Sequence, residues 1–502
     1  MKSDIVVVGG GASGLMAAYA AADFLVRSGS DAQVLVLEKM PRPARKIMIS
    51  GKGRCNFTNL KDWNGFSSHV RANSNALRPA FYNLTPEALT EFFSAYGMRW
   101  VVERGDRAFP ESHHASDVVD ALVNACLSRG VKILCEQEVS SVERKDGGFS
   151  LKLAGGGSCE CRRLILATGG LSYPTTGSTG DGYRWAGGFG HRIVRTFPSL
   201  TALVPQGYKL SEEIHSDPEL PRHIDRSIPL SELGEKLCGV QLRNVGVTLE
   251  IDGAGAGEEF GDLDFTDGGI EGPVGFRFSR QAVKAMLNGG RAALVLDLKS
   301  AVEPAELSER VRQLYAEIEA DPRSLRLRDK EKCRILLGKL MPWNLIPGFT
   351  AMHPQIFSVT RLRSGKQLVK VHLDVIAAAL KCWRFPLEGY VGYERAVVTA
   401  GGIRIYNERR RPAEKEHHHI DWDVDAAEKG GYDHFMLKEI CEQPDAIARA
   451  ITGRIQKGRV VLSDLTMTDR EVRELGRICI VACGSSYHVG MVGKYNLERM
   501  LR

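Results

Sequence analysis

A chain of 502 residues, 43% of them hydrophobic, carries enough apolar side chains for a large core, and its length corresponds to roughly three domains. Its formal net charge of +6 is spread along the sequence, which reads as a solvated surface rather than the concentrated basic face of a nucleic-acid binder. Eleven cysteines, an odd number without paired zinc-ribbon spacing, exclude a disulfide-stapled scaffold and point to reduced thiols in a cytoplasmic setting. The nearest thing to a metal clip, Cys159-Glu-Cys161, lacks a second pair, so no metal is expected.

The chain opens with an apolar strand that runs into Gly9-x-Gly11-x-x-Gly14 and then an Ala-rich helix. This is a dinucleotide-binding fingerprint in its proper context. Gly9 permits the tight turn, Gly11 lets backbone approach a pyrophosphate, and Gly14 lets helix and strand pack closely. The helix that follows the turn presents free N–H groups and a dipole that favour phosphate. A second strand over residues 34–37 ends in Glu38, at the distance expected of an acid that accepts from a ribose hydroxyl, and Lys39 beside it belongs to the same candidate site. The run from Ile5 to Val26 imitates a membrane helix, but three consecutive glycines and Asp23 interrupt it, and no membrane span is expected.

Residues 42–59 form a basic, Gly-rich segment with almost no apolar periodicity. Arg45, Lys46, Lys52 and Arg54 have the charge to complement a pyrophosphate, while Ser50, Gly51, Gly53 and Asn56 offer hydrogen bonds at close range. A helix over residues 115–129, a strand over 131–134 and an extended stretch over 138–142 follow, then a hairpin strand over 149–153 between glycine turns. The strand that begins at Arg163 ends in Ala167-Thr-Gly-Gly170, where small residues leave backbone bare for a cofactor.

These motifs, together with Ser50-Gly-Lys-Gly-Arg-Cys-Asn-Phe-Thr-Asn59, Ala167-Thr-Gly-Gly-Leu-Ser-Tyr-Pro-Thr-Thr-Gly-Ser-Thr-Gly-Asp-Gly182 and Pro198-Ser-Leu-Thr-Ala-Leu-Val204, resemble the FAD-dependent flavoproteins of the aminoacetone-oxidase and 3-dehydro-bile-acid-reductase type. The resemblance runs from residue 1 to about residue 402. It implies a two-electron FAD oxidoreductase. It carries Gly9, Gly11, Ala12, Ser13, Gly14, Glu38, Lys46, Ser50, Gly51, Gly53, Arg54, Cys55 and Asn56 over as FAD contacts, with Val139 against the adenine and Thr168 and Gly169 bordering the dinucleotide.

The resulting fold class is α/β, a Rossmann-like FAD domain with an inserted antiparallel, barrel-like domain and a small helical subdomain. Residues 1–195 are read as the first part of the FAD domain and 196–298 as a β-rich insert on the substrate side. Residues 265–273 are read as a turn-rich connection, and Leu307, Val311, Leu314 and Ile318 mark one face of a helix in a subdomain over 299–350. Residues 351–375 are read as the return of the insert and 376–402 as the return of the FAD domain.

Past Gly402 the resemblance stops. The Ala-Gly-Glu strand end and Gly-Gly-Tyr-Asn helix start that close such flavoproteins over the flavin ring are not found, so unpaired strand edges near residues 396–400 and weak FAD retention are expected. Residues 403–502 instead resemble the linker and first sugar-isomerase strand and helix of glutamine:fructose-6-phosphate amidotransferase, through His419-Ile-Asp-Trp and Ile478-Cys-Ile-Val-Ala-Cys-Gly-Ser-Ser-Tyr-His488. The resemblance makes Ser485 and Ser486 a remnant sugar-phosphate cradle in an incomplete α/β segment. The His417-His418-His419 run reads as exposed linker.

The expected function is hydride exchange between FAD and a small organic substrate, with NAD(P)H visiting as a transient reductant because no second fingerprint follows a strand. The alternatives are a hybrid chain with impaired flavin binding and a sugar-phosphate-binding fragment. No acid or base is nominated. His113 and His114 lie either near the flavin edge or on a plain loop, the second reading being favoured, and Cys55 reads as a packing residue. Substrate identity and oligomeric state are not legible.

Overall fold

A computed structural model describes residues 1–70, 74–210, 219–361 and 367–404, with two short strands at Ile455–Gln456 and Arg459–Val460. The chain divides into one unit over Met1–Lys415 and another over Glu416–Arg502. In the second unit the two short strands pair antiparallel. The amidotransferase-like motifs, including Ser485 and Ser486, and the histidine run lie outside the described residues.

Strand β1 (Lys2–Val8), helix α1 (Ala12–Arg27) and strand β2 (Val34–Leu37) form the opening β-α-β unit. All four residues of β2 are buried, as are Val6, Val7 and Val8 of β1, the continuous apolar run of parallel strands covered on both faces. The sheet runs in the order Lys132–Leu134, β2, β1, Ser158–Leu166, Gly148–Leu153, Val139–Lys145. Its first four strands are parallel, and the last three make an antiparallel meander.

Register builds the site. Val8 lies opposite both Leu37 and Leu166, so three parallel strands end at one level and deliver Gly9, Glu38 and Ala167 to the same edge. That edge, outside the carboxyl ends of the strands, is where open α/β sheets hold ligands. Small residues at Gly14, Ala18 and Ala22 bring α1 against the sheet, and Ala115–Ser128 packs beside it, where the Cys126 thiol donates to the Leu15 carbonyl. Buried Asp23 of α1 is paired with Arg129 at 2.8 Å and with Arg27.

The insert is a ring of strands. Leu203–Pro205, Gly269–Glu271, Ala254–Thr266, Gln241–Ile251, Ala292–Asp297 and Trp383–Val391 pair antiparallel in that order, and the last pairs back with the first. Trp383–Val391 is therefore barrel, not the start of the FAD-domain return. Its alternation explains the placement, since Trp383, Phe385 and Leu387 point into the barrel core while Arg384 faces out to Glu250. Residues 265–273 also differ from the turn-rich reading. They contain a barrel strand and the start of helix Gly272–Leu287, with Pro273 in its first turn, where a missing N–H costs nothing.

Helices Pro304–Ala320, Asp329–Leu340 and Ile346–Met352 form the subdomain beside the barrel, and Leu307, Val311, Leu314 and Ile318 are buried on one face of the first. Strand Val398–Ile403 pairs antiparallel with Ile193–Ser199. The edge expected to stay bare near residues 396–400 is therefore paired on one side, because Ile193–Ser199 leads into the barrel and Val398–Ile403 leads out of it. All eight cysteines among the described residues are free thiols. Among the described residues no helix is long and apolar enough to cross a membrane.

Candidate dinucleotide site

At the strand ends lies a cavity of about 540 Å³. One wall is the glycine turn. Gly9 has φ +103°, and a Cβ there would sit 2.4 Å from the Ala167 carbonyl oxygen; a Cβ on Gly14 would sit 1.8 Å from the Gly9 carbonyl oxygen. Both glycines are needed for backbone approach within the protein. Gly11 is different, because nothing lies within 4 Å of the place where its Cβ would be. It borders the cavity, and α1 begins immediately after it with no side chain capping its N-terminus. Uncapped N–H groups facing a cavity past a residue with no side chain make a fitting cradle for a diphosphate.

Gly9, Gly11, Ala12, Ser13, Glu38, Lys39, Arg45, Lys46, Ser50, Cys55, Asn56, Val139, Thr168 and Gly169 all line the cavity. Gly14, Gly51, Gly53 and Arg54 do not. Gly14 is spent on helix packing. Gly51 and Gly53, with Lys52 and Cys55, have positive φ, and this left-handed stretch throws the chain around a tight turn. Arg54, within that turn, is turned to other partners. It pairs with Glu103, covers the Phe109 ring at 4.4 Å and lies 3.0 Å from His113 Nδ1. In this arrangement the Arg54 guanidinium pairs with Glu103 and lies outside the cavity lining. His113 and His114 are exposed and outside the lining, and His114 precedes helix Ala115–Ser128.

Glu38 is 8% exposed, and its two carboxylate oxygens accept from the Gly10 N–H at 2.6 Å and the Met40 N–H at 2.9 Å. It braces the glycine turn as well as facing the cavity. Lys39 reaches Asp181 at 3.0 Å and also donates to Thr179. Burial works to raise the Asp181 carboxyl, but the Thr179 and Lys39 hydrogen bonds outweigh it and hold the group below the usual carboxylate range. Lys46 crosses the cavity wall to donate to the Ser172 carbonyl at 2.7 Å and the Ser178 hydroxyl at 2.8 Å, and its burial lowers the amine's pKa. Arg45 stays exposed, with no hydrogen-bond or ion-pair partner among the described residues. Cys55 is 5% exposed and burial pushes its thiol up, which suits packing and not thiolate chemistry.

The Lys39–Asp181 pair ties the end of β2 to helix Asp181–Gly188. A carboxyl held below its unfolded value of 3.8 contributes stability that is fully present above that value and is lost as pH falls through the folded value. Asp181→Asn is therefore expected to cost about 0.5–1 kcal/mol at pH 7, and the difference should vanish in acid below the folded value. Urea midpoints of both proteins across this range measure it, and an unchanged gap throughout would contradict the pairing.

Further lining residues carry no separate signal in the sequence. Thr176, Gly177, Ser178 and Asp181 lie within the quoted 167–182 motif, and Trp185 follows one helical turn later. Met16, Phe57, Leu89, Phe93, Val118 and Leu122 give the cavity an apolar portion, and their apolar character alone does not distinguish them from core. Among the described residues no group of three metal-ligating side chains occurs.

A family model described as the HI0933-like protein Rossmann domain matches residues 3–411. The chain belongs to this family. HI0933-like proteins have the Rossmann-type FAD-binding α/β fold and form a family of FAD-dependent oxidoreductases. The HI0933-like region is 26% identical over 410 residues to a 3-dehydro-bile acid delta(4,6)-reductase of Clostridium scindens, covering 80% of this chain and 86% of that one. A different relative is glutamine–fructose-6-phosphate aminotransferase (isomerizing) of Clostridium perfringens, 48% identical over 110 residues. That match takes in 22% of this chain, and the chain spans only 18% of the aminotransferase's length. Among solved structures, glycine oxidase from Geobacillus kaustophilus aligns over 39% of this chain and 60% of its own with 16% identity and a TM-score of 0.22, a likeness that adds nothing further.

Proposed function

We propose that this chain binds FAD in the cavity at the strand ends and is an oxidoreductase acting on a small organic substrate, with NAD(P)H as a visiting reductant. The observation that carries the reading is the Gly11 cradle: an open Cβ position and an uncapped helix N-terminus, with Lys46, Arg45 and Ser50 lining the same cavity. When bound, FAD supplies two-electron hydride chemistry, whose rate depends on holding the reacting carbon within about 3–3.5 Å. The chain's part is to hold the dinucleotide. Backbone N–H groups of α1 and the Lys46 ammonium meet the diphosphate, Glu38 meets the ribose, and Val139 borders the adenine. The free thiols fit a reducing, cytoplasmic setting.

Purified full-length protein should carry the visible bands of oxidised flavin at near-unit stoichiometry and release FAD, not FMN, on denaturation. Folded protein that stays colourless after incubation with FAD would overturn the reading. Lys46→Met is expected to weaken FAD binding about tenfold, the order of one charged hydrogen bond, in a titration followed by flavin fluorescence.

The 48% identity over 110 residues favours a second reading for the carboxy-terminal segment alone, as an amidotransferase-derived piece in which Ser485 and Ser486 meet a sugar phosphate. In that case the chain is a hybrid, and its flavin affinity is below that of an unbroken family member. Calorimetry with fructose 6-phosphate tests it, with no measurable heat as the result against a working site. Sequencing single gene copies across codons 395–425 shows whether the junction is genuine.

A further inference from the structure

We propose that Thr399 is a positioning residue of the dinucleotide site, holding the cavity wall formed by residues 169–178 through the exit strand of the barrel; this rests on the FAD reading above. Thr399 sits on strand Val398–Ile403, far along the chain from the fingerprint. Its Oγ1 accepts from the Leu171 N–H at 2.8 Å and the Ser172 N–H at 3.1 Å, and lies 3.0 Å from the Ser172 hydroxyl. Gly170 has no side chain to interfere, since a Cβ there would sit 2.6 Å from that oxygen.

The same stretch is also held by Lys46, which donates to the Ser172 carbonyl and the Ser178 hydroxyl. Ser172 is 2% exposed and Ser178 is 7% exposed, so water does not readily substitute for either set of partners. Thr176 and Gly177, between the held residues Ser172 and Ser178, line the cavity together with Ser178 itself and with Gly169 ahead of Leu171. The Thr399 hydroxyl thus ties the strand leaving the barrel to the wall that faces the cofactor, beside a backbone bond from the Tyr173 N–H to the Tyr393 carbonyl at 2.8 Å. Without it, two N–H groups lose their acceptor, the stretch relaxes, and Lys46 loses the fixed oxygens that aim its ammonium.

Thr399→Val keeps the β-branched shape and removes the oxygen, whereas Thr399→Ser keeps the oxygen and removes a methyl group. The experiment measures, for the full chain and both variants, amide hydrogen exchange at Leu171 and Ser172 without cofactor, and then titration with FAD. Thr399→Val should speed exchange at those two amides by about tenfold or more and raise the FAD dissociation constant about tenfold, while Thr399→Ser stays within about twofold of the parent in both. The role is overturned if Thr399→Val leaves the amides protected, if exchange quickens with affinity unchanged, or if Thr399→Ser fails as badly as Thr399→Val. A parent chain that takes up no FAD overturns the cofactor reading and this role with it. That failure is distinguished from a missing anchor because the exchange measurement needs no cofactor.

Discussion

Gly14→Ala is expected to abolish FAD retention, lowering affinity more than 100-fold, and to destabilise the N-terminal sheet by about 1–3 kcal/mol through overpacking. The added Cβ would lie 1.8 Å from the Gly9 carbonyl oxygen, well inside contact distance. The atom it meets is backbone, so no rotamer change relieves the clash. Helix α1 must move outward, and that carries the N–H groups of Ala12 and Ser13 away from the cavity. Gly11→Ala is the matched control. Its Cβ meets nothing within 4 Å, so thermal stability should hold while the methyl group enters the cavity and weakens FAD binding. Thermal unfolding and FAD titration of both variants separate the two effects; a Gly11→Ala protein that binds FAD like the parent would sink the assignment of that wall to the diphosphate.

Trp383→Ala is expected to cost about 3–5 kcal/mol, a large share of the stability of an ordinary domain. Trp383 is fully buried, with ring centroids of Phe385 at 4.7 Å, Phe349 at 5.1 Å and Phe265 at 6.4 Å. It joins the barrel wall to the helical subdomain, because Phe349 belongs to helix Ile346–Met352 and Phe265 to a barrel strand. Trp383→Phe should lose much less. The indole N–H is buried without an acceptor, so phenylalanine gives up ring volume and no hydrogen bond. Urea unfolding followed by circular dichroism ranks the three proteins. Equal losses for Ala and Phe would show that the ring does not bridge these two elements.

The first half of the fold is legible because its signals are local. A strand, a glycine turn and a helix follow one another within 27 residues, and the acid ending the second strand comes at its expected distance. The misreadings share a cause in partners distant along the chain. Arg54 resembles a phosphate ligand by its neighbours, and its pairing with Glu103 on another strand has no signal in those neighbours. Trp383–Val391 alternates as a strand should, yet alternation does not say which sheet it joins. Helix Gly272–Leu287 was within reach, since Val274, Phe278, Ala282 and Met286 recur at helical spacing after Pro273; the glycine-rich approach to it obscured the start. The Thr399 contact with Leu171 and Ser172 has no signal in either local sequence.

The ring closure of the barrel also sets an order of events during synthesis. Every strand of the six-stranded sheet lies between Lys2 and Leu166, so that sheet has all its pairings available before the barrel is half made. Leu203–Pro205 must wait for Trp383–Val391, and until that last strand emerges the barrel is an open sheet with two free edges. On a ribosome that adds about 5–20 residues per second, those edges stay unsatisfied for seconds to tens of seconds, the interval in which a nascent chain is most exposed to pairing with a neighbour.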